Sequence, residues 1–306
     1  MPRGLLGIEH LSREEIQAIL DRARDFQAGS QRPPKFDLLR GHLMVNLFFE
    51  ASTRTRTSFE IAEKRLGADS VSITAQASSV SKGESLVDTL NTLAAMRPDA
   101  IVMRHASSGA PHFLQRHLET PIVNAGDGTH EHPTQALLDA RTILDRGKRL
   151  EHLRVAIIGD IAHSRVARSN AHLLSKYGAD IVLCGPAPLL PRELRQIAPG
   201  ITLTNDMDEA IRGADVIMML RVQLERQHEA SFPAGEYFQF YGLRLEHLKL
   251  AKPEVIVMHP GPINRGREIS SEVADSQRSV ILNQVENGIA VRMAVLERVL
   301  LGGAQA

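Results

Sequence analysis

The chain has 306 residues, 43% hydrophobic and 24% charged, which is enough material for two ordinary domains, each with its own core. Lys+Arg and Asp+Glu both number 36, so the net charge is zero, and Trp is absent; this argues against a nucleic-acid-binding chain, which needs a basic excess or exposed stacking rings. The single cysteine, Cys184, permits no intrachain disulfide and fits a reducing cytoplasm, while no stretch reaches the ~18 apolar residues of a membrane span and Met1–Leu11 lacks a leader's apolar core.

Ser12-Arg13-Glu14-Glu15 is a capping box, and the Ile16, Ile19, Leu20, Ala23 and Phe26 that follow make one helical face. Leu43–Phe49 is an apolar run without polar alternation, which predicts a strand buried on both faces. It ends in Glu50-Ala51-Ser52-Thr53-Arg54-Thr55-Arg56, and a helical pattern through Phe59, Ala62 and Leu66 runs up to Gly67. Thr74–Ser85 is a serine-rich loop carrying Lys82. Further strand-like runs are Ala100–Met103, Ile122–Asn124, Val155–Gly159, Ile181–Cys184, Val216–Leu220 and Val255–Met258. A helix is predicted from about Thr134 to Asp145, a loop over Ser231–Gly242 and a long amphipathic helix over Gln284–Leu300. Short aliphatic strands alternating with helices indicate an α/β fold with parallel sheets. The strands form two groups, with the Thr134–Asp145 helix as the connection between two domains.

A strand that feeds a helix through Ser-Thr-Arg-Thr has the chemistry of a phosphate cradle. First-turn N–H groups lack intrahelical partners, and the helix dipole favours an anion there. Ser52, Thr53 and Thr55 add hydroxyls, and Arg54 offers a bidentate grip. The same letters also fit an ordinary capped helix with solvated arginines. Arg104, at the end of Ile101-Val102-Met103, sits where α/β sheets place ligands, or is a solvated strand-end charge. His130-Glu131-His132 raises the question of a metal, but no Cys or spaced carboxylate set completes the ligands, so none is expected. His132 before Pro133 also fits a plain helix start. Lys82 fits a solvated loop lysine. Val155–Asp160 resembles a dinucleotide-binding turn without its G-x-G-x-x-G, so no such cofactor is expected. Arg165 opens the next helix, and Arg221 and Gln223 follow a strand, with Glu225 and Arg226 close behind. Cys184, inside an apolar run with no basic neighbour in sequence, is expected to be a buried hydrophobe.

Three segments in order, Ser52-Thr53-Arg54-Thr55-Arg56, His132-Pro133-Thr134-Gln135-Ala136-Leu137-Leu138-Asp139 and His259-Pro260-Gly261-Pro262, resemble the carbamoyltransferase family. The resemblance runs from about residue 5 to about residue 300. It implies two doubly wound parallel-sheet domains joined by interdomain helices. Residues 1–133 plus 285–306 would bind carbamoyl phosphate and residues 134–284 the amino-acid acceptor, with the last helix returning to the first domain. It also implies that Ser52, Thr53, Arg54 and Thr55 hold the phosphate. Thr55, Arg104 and His132 would polarise the carbamoyl carbonyl, and Gln135 would hold its amino group. Ser78 and Lys82 align with a serine and a lysine that reach into a neighbouring subunit's site, which implies a homotrimer with shared active sites. Pro260 and Gly261 would line the carbamoyl-phosphate site. Lys82, Arg165, Arg221, Gln223, Gly261 and Pro262 would line that of the acceptor.

Two arginines suit an acceptor with two carboxylates. The ornithine branch carries a cysteine in His-Cys-Leu-Pro and a Ser-Met-Gly loop, neither of which is present here. The expected reaction is therefore carbamoyl transfer from carbamoyl phosphate to the amino group of L-aspartate, in de novo pyrimidine biosynthesis, without a cofactor. His259-Pro260-Gly261-Pro262 departs from the His-Pro-Leu-Pro of some members. The resemblance leaves room for regulatory or dihydroorotase-type partner chains. The rivals are an ornithine-type enzyme and a non-catalytic assembly scaffold. Arg54, Lys82, Arg104, His132, Arg165 and Arg221, the residues that a scaffold would have no reason to keep, are all present.

Overall fold

The computed structural model describes residues 4–27, 35–74, 85–222 and 234–302. The chain divides into two compact units, Met1–Arg141 with Glu286–Ala306, and Thr142–Val285.

In the first unit the capping box forms as the sequence predicts: Glu15 accepts from the Ser12 N–H at 2.8 Å, and Ser12 Oγ accepts from the Glu15 N–H at 3.1 Å. It opens α1 (Arg13–Gln27), which buries Ile16, Ile19, Leu20, Ala23 and Phe26. Then follow β1 (Leu43–Phe48), α2 (Thr53–Leu66), β2 (Asp69–Thr74), α3 (Leu86–Ala95), β3 (Ala100–His105), α4 (Ala110–Gln115), β4 (Ile122–Asp127) and α5 (Pro133–Asp145). Gly67 ends α2 at φ 81, a left-handed conformation that glycine adopts at little cost, and its N–H meets the Glu63 and Lys64 carbonyls. The four strands pair in parallel in the order β2-β1-β3-β4. Val45, Leu47, Ile101, Met103 and Ile122 from this sheet pack with Leu90, Leu93 and Leu114 from the helices. Each fully buried aliphatic side chain of this kind contributes about 1.5–3 kcal/mol relative to exposure.

The second unit holds β5 (Arg154–Ile158), α6 (Arg165–Ser175), β6 (Asp180–Cys184), β7 (Ile201–Thr204), α7 (Met207–Ile211), β8 (Val216–Met219), α8 (Ala234–Tyr241), β9 (Ile256–Met258) and α9 (Ser271–Ala274). Its five strands are also parallel, in the order β7-β6-β5-β8-β9. Cys184 is fully buried in the core of this sheet, and burial pushes its thiol up to about 12. It is therefore the inert hydrophobe that its sequence context predicts.

Two continuous helices carry the chain past the divisions. One is α5, within which Arg141 meets Thr142; the other is α10 (Ile281–Leu301), within which Val285 meets Glu286. The part of α10 in the first unit packs there. Glu297 pairs with Arg22 at 2.6 Å, Arg298 pairs with Glu15, and Arg292 lies over the Phe59 ring at 5.0 Å.

Three local readings change. The sequence pattern leaves Asp69–Thr74 and Ile201–Thr204 unassigned, yet they form β2 and β7, both at sheet edges. Ser231–Gly242 is not a loop throughout: Ala234–Tyr241 is α8, anchored by the burial of Tyr237 and Tyr241.

Candidate active site

In an open parallel sheet, the strands on either side of a reversal in strand order send their loops to opposite faces. The crevice left between their carboxyl ends is where ligands bind. In the first sheet that reversal lies between β1 and β3, and in the second between β5 and β8. The candidate residues fall at these two places, one set in each unit.

In the first unit, β1 runs into α2 through Phe49-Glu50-Ala51-Ser52. Ser52 is the N-cap in extended conformation, but its side chain caps no backbone N–H. Its hydroxyl donates to Thr55 Oγ1 at 2.9 Å, so the two hydroxyls sit together at the helix mouth. Thr55 is buried, whereas Thr53 and Arg54 are exposed. Register brings Arg104 beside this turn: Phe48 is its partner across β1 and β3, and the Phe49 N–H donates to the Arg104 carbonyl at 2.9 Å. The Arg104 guanidinium pairs with Glu50 and donates to the Ala125 carbonyl at 3.3 Å.

The loop after β4 supplies His132 and Gln135. His132 is 4% exposed, and its carbonyl accepts from the Gln135 and Ala136 N–H groups, closing the first turn of α5 with Pro133 at its start. Gln135 Nε2 donates to Asp139 Oδ1 at 3.0 Å. This holds one N–H of the amide on Asp139 and orients the side chain, leaving its carbonyl and its second N–H for a ligand. The loop itself is stiff. The Glu131 carboxylate accepts from the Ile8 N–H at 2.8 Å and the Glu9 N–H at 3.3 Å, and a side chain at Gly7 would collide with it. Behind α2 lies the fully buried Arg292, whose guanidinium burial pushes down to about 10; it remains a cation at neutral pH, and Arg104's charge adds to the downward shift.

In the second unit, Ser164 caps α6 by accepting from the Ala167 N–H at 3.1 Å, which sets Arg165 on the first helical position, 6% exposed. Arg221 directly follows Leu220, whose N–H bonds to the Ile158 carbonyl at the end of β5. The two strand ends approach so closely that a Cβ on Gly159 would stand 2.8 Å from Leu220 Cβ. Beyond β9, His259 is fully buried and organises Pro260-Gly261-Pro262. Its Nδ1 accepts from the Gly261 N–H at 2.8 Å, so its proton resides on Nε2, which donates to Glu268 at 3.2 Å. Arg165, Arg221 and the Pro260–Pro262 turn thus stand at the carboxyl ends of three adjacent strands, β5, β8 and β9.

Ser78, Lys82 and Gln223 lie outside the described residues. Sequence reasoning passed over Glu50, Asp139, His259 and Glu268 as partners of the site side chains. Asp139 had a signal, since it stands one turn after Gln135, the spacing at which Gln and Asp meet on a helix. Glu268 had none.

Comparison with known proteins gives two family matches. Residues 3–145 match the aspartate/ornithine carbamoyltransferase carbamoyl-P binding domain, and residues 151–299 match the Asp/Orn binding domain of the same family. The aspartate carbamoyltransferase catalytic subunit of Solibacter usitatus is 80% identical over 98% of this chain and 100% of its own length. Among solved structures, aspartate transcarbamoylase from Trypanosoma cruzi in complex with carbamoyl aspartate and phosphate superposes with a TM-score of 0.90 at 34% identity, covering 98% of this chain and 96% of that one. Ornithine carbamoyltransferase from Pyrococcus furiosus superposes with a TM-score of 0.89 at 30% identity, covering 99% and 98%. With both domain types matched in order along nearly its whole length, the chain belongs to the aspartate/ornithine carbamoyltransferase family.

Proposed function

We propose that the chain transfers the carbamoyl group of carbamoyl phosphate to the amino group of L-aspartate, giving N-carbamoyl-L-aspartate and phosphate. The observation that carries this reading is the presence of two chemically different anion-binding sets. One joins hydroxyls and a helix N-terminus to Arg54 and Arg104 at the β1/β3 reversal, and the other rests on Arg165 and Arg221 at the β5/β8 reversal. The first suits a phosphate, the second a dicarboxylate. The relative with 80% identity carries the aspartate name, whereas the ornithine enzyme is only 30% identical.

Carbamoyl phosphate is already activated, because phosphate is a good leaving group. The protein's task is therefore to hold both substrates and stabilise the charge that develops. The α2 N-terminus, Ser52, Thr53 and Arg54 hold the phosphate. Thr55, Arg104 and His132 polarise the carbamoyl oxygen, and the carbonyl end of Gln135 accepts from the carbamoyl NH2. Arg104 also pairs with Glu50, which orients its guanidinium at this turn. Arg165, Arg221, Gln223 and the Pro260–Pro262 turn hold aspartate. The aspartate nitrogen forms a bond to the carbonyl carbon, and the oxygen on carbon takes negative charge. The carbon–oxygen bond to phosphate then breaks, and the amine proton leaves with the phosphate.

The same reading includes a cytoplasmic enzyme of pyrimidine biosynthesis that works as a homotrimer, in which Ser78 and Lys82 complete a neighbour's site. A steady-state assay of aspartate against ornithine tests the activity, and turnover of ornithine in preference to aspartate would overturn it. Light scattering tests the trimer. Mixing an inactive Lys82→Ala chain with an inactive Arg54→Ala chain should restore part of the activity once subunits exchange; no recovery in proven mixed trimers removes the shared site.

A further inference from the structure

Two histidines and an aspartate converge beside the loop that leads into α5, and the transfer chemistry uses none of them. His112 lies on α4, Asp127 ends β4 and His130 sits in the loop that follows; one ligand-type atom from each lies within 4.8 Å of the other two. The sequence pattern His130-Glu131-His132 lacks the donors for a metal, but the fold brings His112 and Asp127 to His130 from other elements.

Asp127 is fully buried and firmly oriented. Its Oδ1 accepts from Asn124 Nδ2 at 2.8 Å and from the Glu131 N–H at 3.1 Å. Its Oδ2 accepts from the Gly109 N–H at 2.6 Å and lies 3.0 Å from His130 Nδ1. The His112 and His130 rings meet edge to face, with centroids 5.2 Å apart. His112 Nδ1 is buried with no hydrogen-bond partner among the described residues. A proton shared between Asp127 and His130 serves only one ring. A divalent cation would serve the carboxylate and both rings together.

We propose that His112, Asp127 and His130 form a binding site for a divalent transition-metal ion of the Zn2+ class, with a further coordination position open to solvent. Two imidazoles with one carboxylate suit such an ion better than Mg2+ or Ca2+, which favour all-oxygen shells. Ligand atoms around tetrahedral zinc stand roughly 3.3 Å apart, against 3.0 Å between Asp127 Oδ2 and His130 Nδ1 and at most 4.8 Å across the trio here. The hydrogen bonds on Asp127 Oδ1 supply the outer support that metal-binding carboxylates need. The ion would join α4 to the loop that also carries His132 and, through Glu131, the Ile8–Glu9 backbone. Occupancy should therefore raise the melting temperature as well as bind.

Chelator-treated protein titrated with CoCl2 and with ZnCl2 near neutral pH, followed by calorimetry and visible absorption, tests the site. One ion per chain with tetrahedral Co2+ bands is expected. His112→Gln, which leaves the transfer machinery intact, should weaken binding by about 100-fold or more, beyond what loss of an outer-shell partner costs. A ZnCl2-soaked crystal should show its anomalous peak between the three side chains, a readout that does not depend on the variant folding. Absence of binding tighter than millimolar, an anomalous peak elsewhere, or unchanged affinity in a folded His112→Gln protein would each overturn the assignment.

Discussion

In the first unit a bound anion would meet the N-terminus of α2, two hydroxyls hydrogen-bonded to each other and an arginine already paired with Glu50; in the second it would meet arginines at the mouths of β5 and β8. Both sets stand at the strand-order reversal of a parallel sheet. The topology therefore decides where a ligand goes, and the loop residues decide which ligand. A tetrahedral phosphate presents acceptor oxygens in several directions, which N–H and O–H donors can meet one by one. A carboxylate is planar and is best met by the guanidinium fork. If this division of labour holds, substitutions in the two units should damage different kinetic constants.

The largest effect is expected in the first unit. If Arg54 serves phosphate binding and departure as proposed, Arg54→Ala should lower turnover by about 10²–10³-fold. A variant that keeps a tenth of wild-type kcat at saturating substrates would break the assignment of the cradle.

Next come the arginines of the second unit. Arg165→Ala and Arg221→Ala should each raise the KM for aspartate by about 10–100-fold, the worth of one charge-assisted hydrogen bond. Carbamoyl-phosphate affinity, measured by calorimetry, should hardly change. An equal loss for both ligands would erase the distinction between the units.

The sequence carried the aliphatic strands, including the edge strands β4 and β9, better than the polar edge strands β2 and β7. Val216–Met219 is a continuous apolar run and Leu43–Phe48 is apolar but for the buried Asn46, and their positions were legible. β2 offers only Val71 and Ile73 among polar residues, and Val71 is 50% exposed; β7 has four residues. A polar edge strand of this kind is defined by its partner, and the partner is not written locally. The same limit explains the site. Chain order suggests that Arg104 ends a strand, but only the β1/β3 register sets it beside Glu50. The proposed cradle could be put forward from sequence because its parts are consecutive, from Ser52 to Arg56, and the strand-to-helix turn that it needs is present. His259 and Glu268 were not, because their bond depends on how the segment between them folds back.

That bond gives a subtler test within the second unit. Glu268→Gln keeps an acceptor for His259 Nε2 but removes the charge, so the turn through Gly261 should loosen without unfolding. The expected rise in the aspartate KM is about five- to tenfold, the difference between a charged and a neutral hydrogen bond. Carbamoyl-phosphate binding should be unchanged. If kcat for both substrates falls while KM stays constant, Glu268 does not act through the acceptor turn.

The smallest effect on turnover, and the sharpest contrast between the units, concerns a second buried carboxyl. Glu268 faces a histidine; Glu63, on α2 and fully buried, faces the Asn46 amide, whose Nδ2 donates to it at 2.8 Å. Burial, aided by the charge of Glu60, pushes Glu63 from the ordinary 4.5 up to about 7, against the hydrogen bonds from Asn46 and Ser70 and the charge of Lys64. Among the described residues, Asn46 Oδ1 and Glu63 Oε1 both lack a hydrogen-bond partner, as two acceptors would; a proton on Glu63 turns one of them into a donor. Because the folded value lies above the unfolded one, the folded chain holds this proton more tightly. The stability it contributes is full below about 4.5 and is lost as pH rises through about 7, by at most about 3 kcal/mol. Glu63→Gln carries its hydrogen permanently, so the variant should equal the wild type in acid and melt at a higher temperature above neutrality. Its kcat and both KM values should match the wild type, because Glu63 lies near the far end of α2 from the cradle. Parallel melting profiles across this pH window would mean that the folded chain holds the Glu63 proton no more tightly than the unfolded one, and the contrast with Glu268 would then reduce to the identity of the neighbour.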